Sequence, residues 1–181
     1  GGRRGYPRLH RRTDRAVHGP GAIGRSGLEQ SVNGQSSIDG VLVTGLRQVV
    51  DERGAVLHHM RSDAPEFTTF GECYFSEMVP GAVKAWKRHR KQTQNLAVPV
   101  GRVRFVVFDD RAGSITQDEL LVIELGRPDD YYRLCIPNGL WYGFSCLSNY
   151  PAVVANCADR PHELKDAELI PEDDSSIPYC W

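Results

Sequence analysis

The sequence predicts an all-β domain, a barrel or double-sheet sandwich built from short strands. From residue 38 onward, runs of β-branched and aromatic residues recur at roughly 8–12-residue spacing, separated by Gly, Pro, Asn and Asp. Within one run, Val103, Phe105 and Val107 alternate with Arg102, Arg104 and Val106, the period of a strand with one buried face. No stretch after residue 38 carries the apolar period of a long amphipathic helix.

Residues 1–37 are Gly, Arg, Ser and His with almost no aliphatic clustering. Such a stretch buries too little apolar surface to offset the entropy of ordering it, so a disordered basic extension is expected there. The folded domain is expected over residues 38–181. The segment GVLVTGLRQVVDERGAVLHHM reads as a strand, a turn at Asp51-Glu52-Arg53-Gly54 and a second strand. His58 and His59 are adjacent and would face opposite sides of that strand, which argues against a metal pair. A strand from Cys73 to Val79 ends at Pro80-Gly81, and the stretch Gly81 to Gly101 follows. After the Val103 run comes a turn at Asp109-Asp110, then strands in ELLVIELG, YYRLCIP, LWYGFSCLS and AVVANCAD. Beyond Asp159 the chain is polar, acidic and Pro-containing, which predicts a short helical or extended C-terminal segment.

A length of 181 residues suits one such domain. The formal net charge of -1 argues against nucleic acid as the main partner, although residues 1–29 set seven Arg against Asp14 and Glu29. No apolar run approaches the ~20 residues that span a bilayer, and the basic N-terminus lacks the apolar core of a signal peptide. The five cysteines are odd in number and form no CxxC pair. That usage fits reduced thiols in a cytoplasmic protein.

The stretch Gly81 to Gly101 organises the functional reading. On a strand, residues i and i+2 share a face, so Lys87, His89 and Ala85 line one wall while Trp86 and Arg88 face the other. The spacing resembles the first cupin motif: Gly, five residues, His-x-His, four residues, Glu, six residues, Gly. Gly81, Lys87, His89, Gln94 and Gly101 fall in that register without a gap, with Lys87 in place of the first His and Gln94 in place of the Glu. Pro137-Asn138-Gly139-Leu140-Trp141-Tyr142 resembles the second motif, with Tyr142 in the His place. Of the four nominal ligands only His89 remains. A Lys ammonium has no lone pair to offer and Gln is a weak ligand, so a cupin double-stranded β-helix, or jelly-roll barrel, with no metal is expected.

From Gly40 to Trp181 the chain resembles the dTDP-4-dehydrorhamnose 3,5-epimerase family. The resemblance rests on the DERG turn, the Gly81–Trp86 lead-in, IPNGLWYGFSCLSNY, NCAD followed by RPHE, and the closing IPYCW. It implies proton exchange beside the 4-keto group of a nucleotide-linked deoxyhexose, with no metal or organic cofactor. It places Tyr150 on the family's proton-donating Tyr, Asp159 on the Asp that supports the base, and Arg53 on the Arg that contacts the nucleotide phosphates. Lys87 falls on the base itself, Gln94 near the enolate-holding Lys, and Tyr142 on a further His; Lys84 and Trp141 join the substrate-binding set.

Two groups are candidates for the base. His89 shares the face of Lys87, and burial of Lys87 would disfavour its charged form. Alternatively, a charged Lys87 holds the enolate or a phosphate. A homodimer is expected, because the family pairs barrels by exchanging edge strands. The rival readings are a 3,4-ketoisomerase, a single-carbon epimerase using His89, a non-catalytic sugar-nucleotide-binding cupin, and a metal cupin built on His89.

Overall fold

The computed structural model describes residues 34–181, and the expected extension falls outside them apart from its last four residues. In chain order the strands are β1 (Gly34–Gln35), β2 (Leu42–Gly45), β3 (Gln48–Asp51), β4 (Gly54–Leu57), β5 (Glu72–Met78), β6 (Val83–His89), β7 (Gln94–Val100), β8 (Arg102–Phe108), β9 (Leu120–Gly126), β10 (Tyr132–Ile136), β11 (Trp141–Cys146), β12 (Ala152–Ala158) and β13 (Ala167–Leu169). There is no helix among the described residues.

Two antiparallel sheets face each other. One has the order β1-β2-β10-β7-β12-β5 and the other β13-β6-β11-β8-β9, so sequence neighbours such as β5 and β6 lie in different sheets. That alternation between sheets is the jelly roll. Strand periodicity sorts the side chains. Leu96 and Val98 of β7, Leu134 and Ile136 of β10, and Val154 of β12 meet Val103, Phe105 and Val107 of β8 and Ile123 and Leu125 of β9 in one core. Each such side chain, fully buried, contributes roughly 1.5–3 kcal/mol. The partners of this alternation, Arg102 and Arg104, turn outward and pair with Glu124. Gly101 joins β7 to β8 at φ +80, where a Cβ would lie 2.6 Å from that of Ala152, so both conformation and space require glycine.

A second cluster covers the outer side of the five-stranded sheet. Trp86, Val106, Phe108 and Trp141 pack there under Ile177, Tyr179 and Trp181 of the C-terminal segment. The Trp86 and Trp181 ring centroids are 4.9 Å apart.

Of the helical or extended forms expected after Asp159 the chain takes the extended one: it supplies β13, which zips onto the free edge of β6 through Ala167–His89 and Leu169–Lys87. Two expectations change. The strand expected before the DERG turn is two strands. β2 joins the six-stranded sheet, whereas β3 pairs, among the described residues, only with β4 in a hairpin that belongs to neither sheet. Its Val49, Val50 and Val56 are exposed. Strand structure is also present ahead of residue 38, where β1 pairs with β2 through Gly34–Val43.

Candidate active site

Lys87 sits on β6 directly across from Tyr142 of β11. The register between these strands slips: Tyr142 faces Lys87 but Phe144 faces Lys84, so Ala85 and Trp86 together oppose Gly143. An extra residue of this kind is a β-bulge, and it re-aims the side chains on either side of it. Lys84 and Lys87, three residues apart, therefore line the same cavity, where strict alternation would have set them on opposite faces. Gly143 permits the close approach, since a Cβ there would lie 2.6 Å from Ala85 Cβ and 2.7 Å from the Trp181 ring.

The cavity measures about 340 Å³, within the usual range for small-molecule sites. Its polar lining includes Lys84 and Lys87 from β6, Tyr142 from β11, and Tyr74 and Asn156 from the facing sheet; Leu169 of β13 stands at its rim. Burial lowers the Lys87 pKa below the ordinary lysine value, and the charges of Glu72 and Asp166 partly oppose that shift. Burial holds the Tyr142 hydroxyl far above the usual phenol range, so it remains protonated. Lys84 Nζ donates to Ser76 Oγ and to the Glu77 carbonyl, both at 2.8 Å. An ammonium carries three hydrogens, so one remains for a ligand.

His89 takes a different place. It is 3% exposed and absent from the cavity lining. Its ring stacks beside Tyr142, with centroids 6.2 Å apart. Nδ1 lies 3.1 Å from Asp166 Oδ2, while Nε2 has no partner among the described residues. Burial and the neighbouring Lys87 charge lower its pKa, against the hydrogen bond to Asp166. A neutral ring beside a carboxylate carries its proton on Nδ1.

The structure separates the other expected residues. Gln94 is buried behind the cavity wall, where it bonds Asn156 and Gln92. Trp141 points to the outer side, where Nε1 donates to Asp110 and the ring lies under Arg88. Tyr150 follows β11 in a surface loop, is 54% exposed and does not line the cavity. Asp159 accepts the Thr93 backbone N–H at 2.8 Å; the carboxylate at His89 is Asp166 instead. Arg53 lies at the hairpin tip, its side chain 82% exposed and paired with Asp51.

Sequence reading missed Tyr74, Asn156 and Asp166. Alternation along CYFSEM would have put Tyr74 and Ser76 on one face, but nothing local marked that face as the inner one. Among the described residues no three His, Cys, Asp or Glu gather as metal ligands do.

Comparison with known proteins agrees with this architecture. Residues 35–181 match the family model for dTDP-4-dehydrorhamnose 3,5-epimerase. The chain belongs to that family. Its class of activity is that of a deoxysugar epimerase or isomerase. It is 48% identical to a dTDP sugar isomerase from Desulfovibrio desulfuricans G20 whose crystal structure superposes with a TM-score of 0.79, covering 80% of this chain and 92% of that one. A probable low-salt glycan biosynthesis epimerase of Haloferax volcanii, Agl13, is 34% identical over 145 residues, 79% of this chain and 89% of that protein. The spore coat polysaccharide biosynthesis protein SpsL of Bacillus subtilis is 32% identical over 146 residues, 80% of this chain and 96% of that protein.

Proposed function

We propose that the protein epimerises a nucleotide-linked 4-keto-6-deoxyhexose, with Lys87 as the base. The observation that carries this reading is an amine lining a sugar-sized cavity, its pKa lowered by burial. A carbon beside a ketone is a weak acid. Its proton leaves when a neutral amine stands near it and positive charge or a donor meets the oxygen on which charge develops. Lys87 supplies the first. Once protonated it faces the enolate as an ammonium, and Lys84 adds a second cation at the same cavity. Lys84 equally suits the diphosphate of the substrate. His89, closed off behind Tyr142 and tied to Asp166, supports the wall and does not reach the sugar.

We further propose a homodimer. Arg53 stands on the hairpin outside both sheets, beside exposed valines, and does not line its own chain's cavity. A hairpin of that character suits a second barrel, and it would carry Arg53 toward that barrel's nucleotide. Five unpaired cysteines accord with a reducing compartment, the cytoplasm.

Deuterium wash-in from D2O into dTDP-4-keto-6-deoxyglucose, followed by NMR, tests the reading. Exchange next to the ketone that is lost in Lys87→Ala supports it. Exchange that survives Lys87→Ala and disappears in His89→Ala moves the base to His89. Thermal stabilisation by dTDP with no exchange in the wild type leaves a binding protein.

A further inference from the structure

The cavity wall facing β6 contains a chain of side-chain hydrogen bonds whose direction is fixed at both ends. At one end, Gln92 Nε2 lies 3.1 Å from Glu72 Oε1 and 2.6 Å from the Arg160 carbonyl. Both are acceptors, so this atom is the amide nitrogen and Gln92 Oε1 faces the other way. That oxygen accepts from Gln94 Nε2 at 2.9 Å. Gln94 Oε1 in turn accepts from Asn156 Nδ2 at 2.6 Å. At the other end, Asn156 Oδ1 accepts the backbone N–H of Asn95 at 3.1 Å, and a backbone N–H can only donate. Asn156 therefore cannot flip.

The two hydrogens on Asn156 Nδ2 are both committed. One goes to Gln94, and the other goes to Tyr74 Oη at 2.9 Å. Tyr74 stands directly across from Asn156 in the β5–β12 pair. Its oxygen is thus an acceptor within the wall, and its own hydrogen has no acceptor there. Tyr74 lines the cavity, so a group bound there can accept that hydrogen. Burial raises the Tyr74 pKa above the ordinary phenol value, so the hydroxyl keeps its proton at neutral pH.

We infer that Tyr74 is the acid that returns a proton to the sugar carbon, and that Glu72 aims it through Gln92, Gln94 and Asn156. The inference rests on the epimerase reading above and adds the second half of the reaction. Lys87 and Tyr74 come from the two facing sheets. A proton taken by Lys87 from one face of the ring leaves the electron pair as an enolate. Tyr74 then gives its O–H proton to the same carbon from the opposite face, the C=O bond re-forms, and a phenolate remains. Solvent returns a proton to the phenolate and takes one from the Lys87 ammonium, so the cycle is balanced with no redox partner. Tyr74 is the catalytic residue here; Glu72, Gln92, Gln94 and Asn156 are positioning residues.

The test separates exchange from inversion. Wild type and variants are incubated with dTDP-4-keto-6-deoxyglucose in D2O, and NMR reads deuterium content and configuration at each exchanging carbon. In Tyr74→Phe, wash-in persists because Lys87 still removes and returns protons on its own face, while the ratio of inversion to exchange falls at least tenfold. Asn156→Leu keeps the shape and removes the donor, so it lowers the same ratio with wash-in retained, and the surviving wash-in shows that the variant has folded. A wild-type ratio in Tyr74→Phe overturns the inference, as does loss of inversion in Tyr142→Phe alone. A wild type that exchanges nothing overturns the epimerase reading itself, and this assignment with it.

Discussion

His89 Nδ1 and Asp166 Oδ2 lie 3.1 Å apart, both side chains almost fully withdrawn from solvent. The contact joins the last residue of β6 to the residue just before β13. It therefore ties the strand carrying Lys87 to the short strand at the cavity rim. A hydrogen bond to a charged group contributes about 1.5–3 kcal/mol. Asp166→Ala should lower unfolding free energy by that amount in urea titrations, and Asp166→Asn, which keeps an acceptor, by clearly less.

Acid should weaken the fold earlier than carboxylate protonation alone would. Burial, with help from the Arg133 charge, lowers the His59 pKa to about 4, and burial lowers His89 as well. Unfolded histidines protonate near the ordinary value of 6.5. The stability these neutral rings provide is complete above that value and is lost as the pH falls toward 4. For His59 the loss is on the order of 3 kcal/mol. Denaturation midpoints at a series of pH values between 7.5 and 4 should show the decline, and His59→Leu should flatten it.

Reaction rate should respond in the same sense for a different reason. As the proposed base, Lys87 would act only as the free amine, and its pKa lies below the ordinary 10.5. The rate of deuterium exchange should therefore rise with pH and level off below that value. Lys87→Met should abolish the rising limb and lower exchange by ~10²–10⁴-fold, the usual contribution of a positioned base.

Gly143→Ala should damage the fold and the site together. The added methyl meets Ala85 Cβ and the Trp181 ring, and overpacking of this kind costs about 1–3 kcal/mol. A fall in melting temperature should accompany a change in tryptophan fluorescence as Trp181 leaves Trp86.

Tyr150→Phe should leave exchange and inversion within about twofold of wild type, as a change on an exposed loop does. A large loss of inversion in this variant would show that Tyr150 reaches a substrate in the assembled protein.

The barrel was readable because its signal is local. Alternation in Val103–Val107, the Pro-Gly at residues 80–81 and the run of short strands each survive without knowledge of the rest of the chain. Alternation along β6 alone put Lys87 and His89 on one face, but it could not say which face is inner, and of the two only Lys87 lines the cavity. What escaped depends on pairing between distant segments. The bulge that turns Lys84 inward arises from the register of β6 against β11, which no reading of β6 alone contains. Asp166 lies 77 residues from His89, and Asn156 lies 82 from Tyr74. Trp141 was misplaced for the opposite reason: it neighbours Tyr142 in sequence, and alternation sends the two rings to opposite sides of the sheet.

The rim of the cavity has a consequence for how relatives of this protein diversify. Leu169 sits on a three-residue strand at the sheet's edge whose one strand partner among the described residues is β6, and the preceding loop lies largely in solvent. Exchanges confined to residues 161–165 leave the Arg160 carbonyl, Asp166 and the pairing of β13 with β6 in place, so they can alter the approach to the cavity without disturbing its walls. A graft of this loop between family members should therefore alter which sugar nucleotides are accepted while deuterium exchange beside the ketone persists.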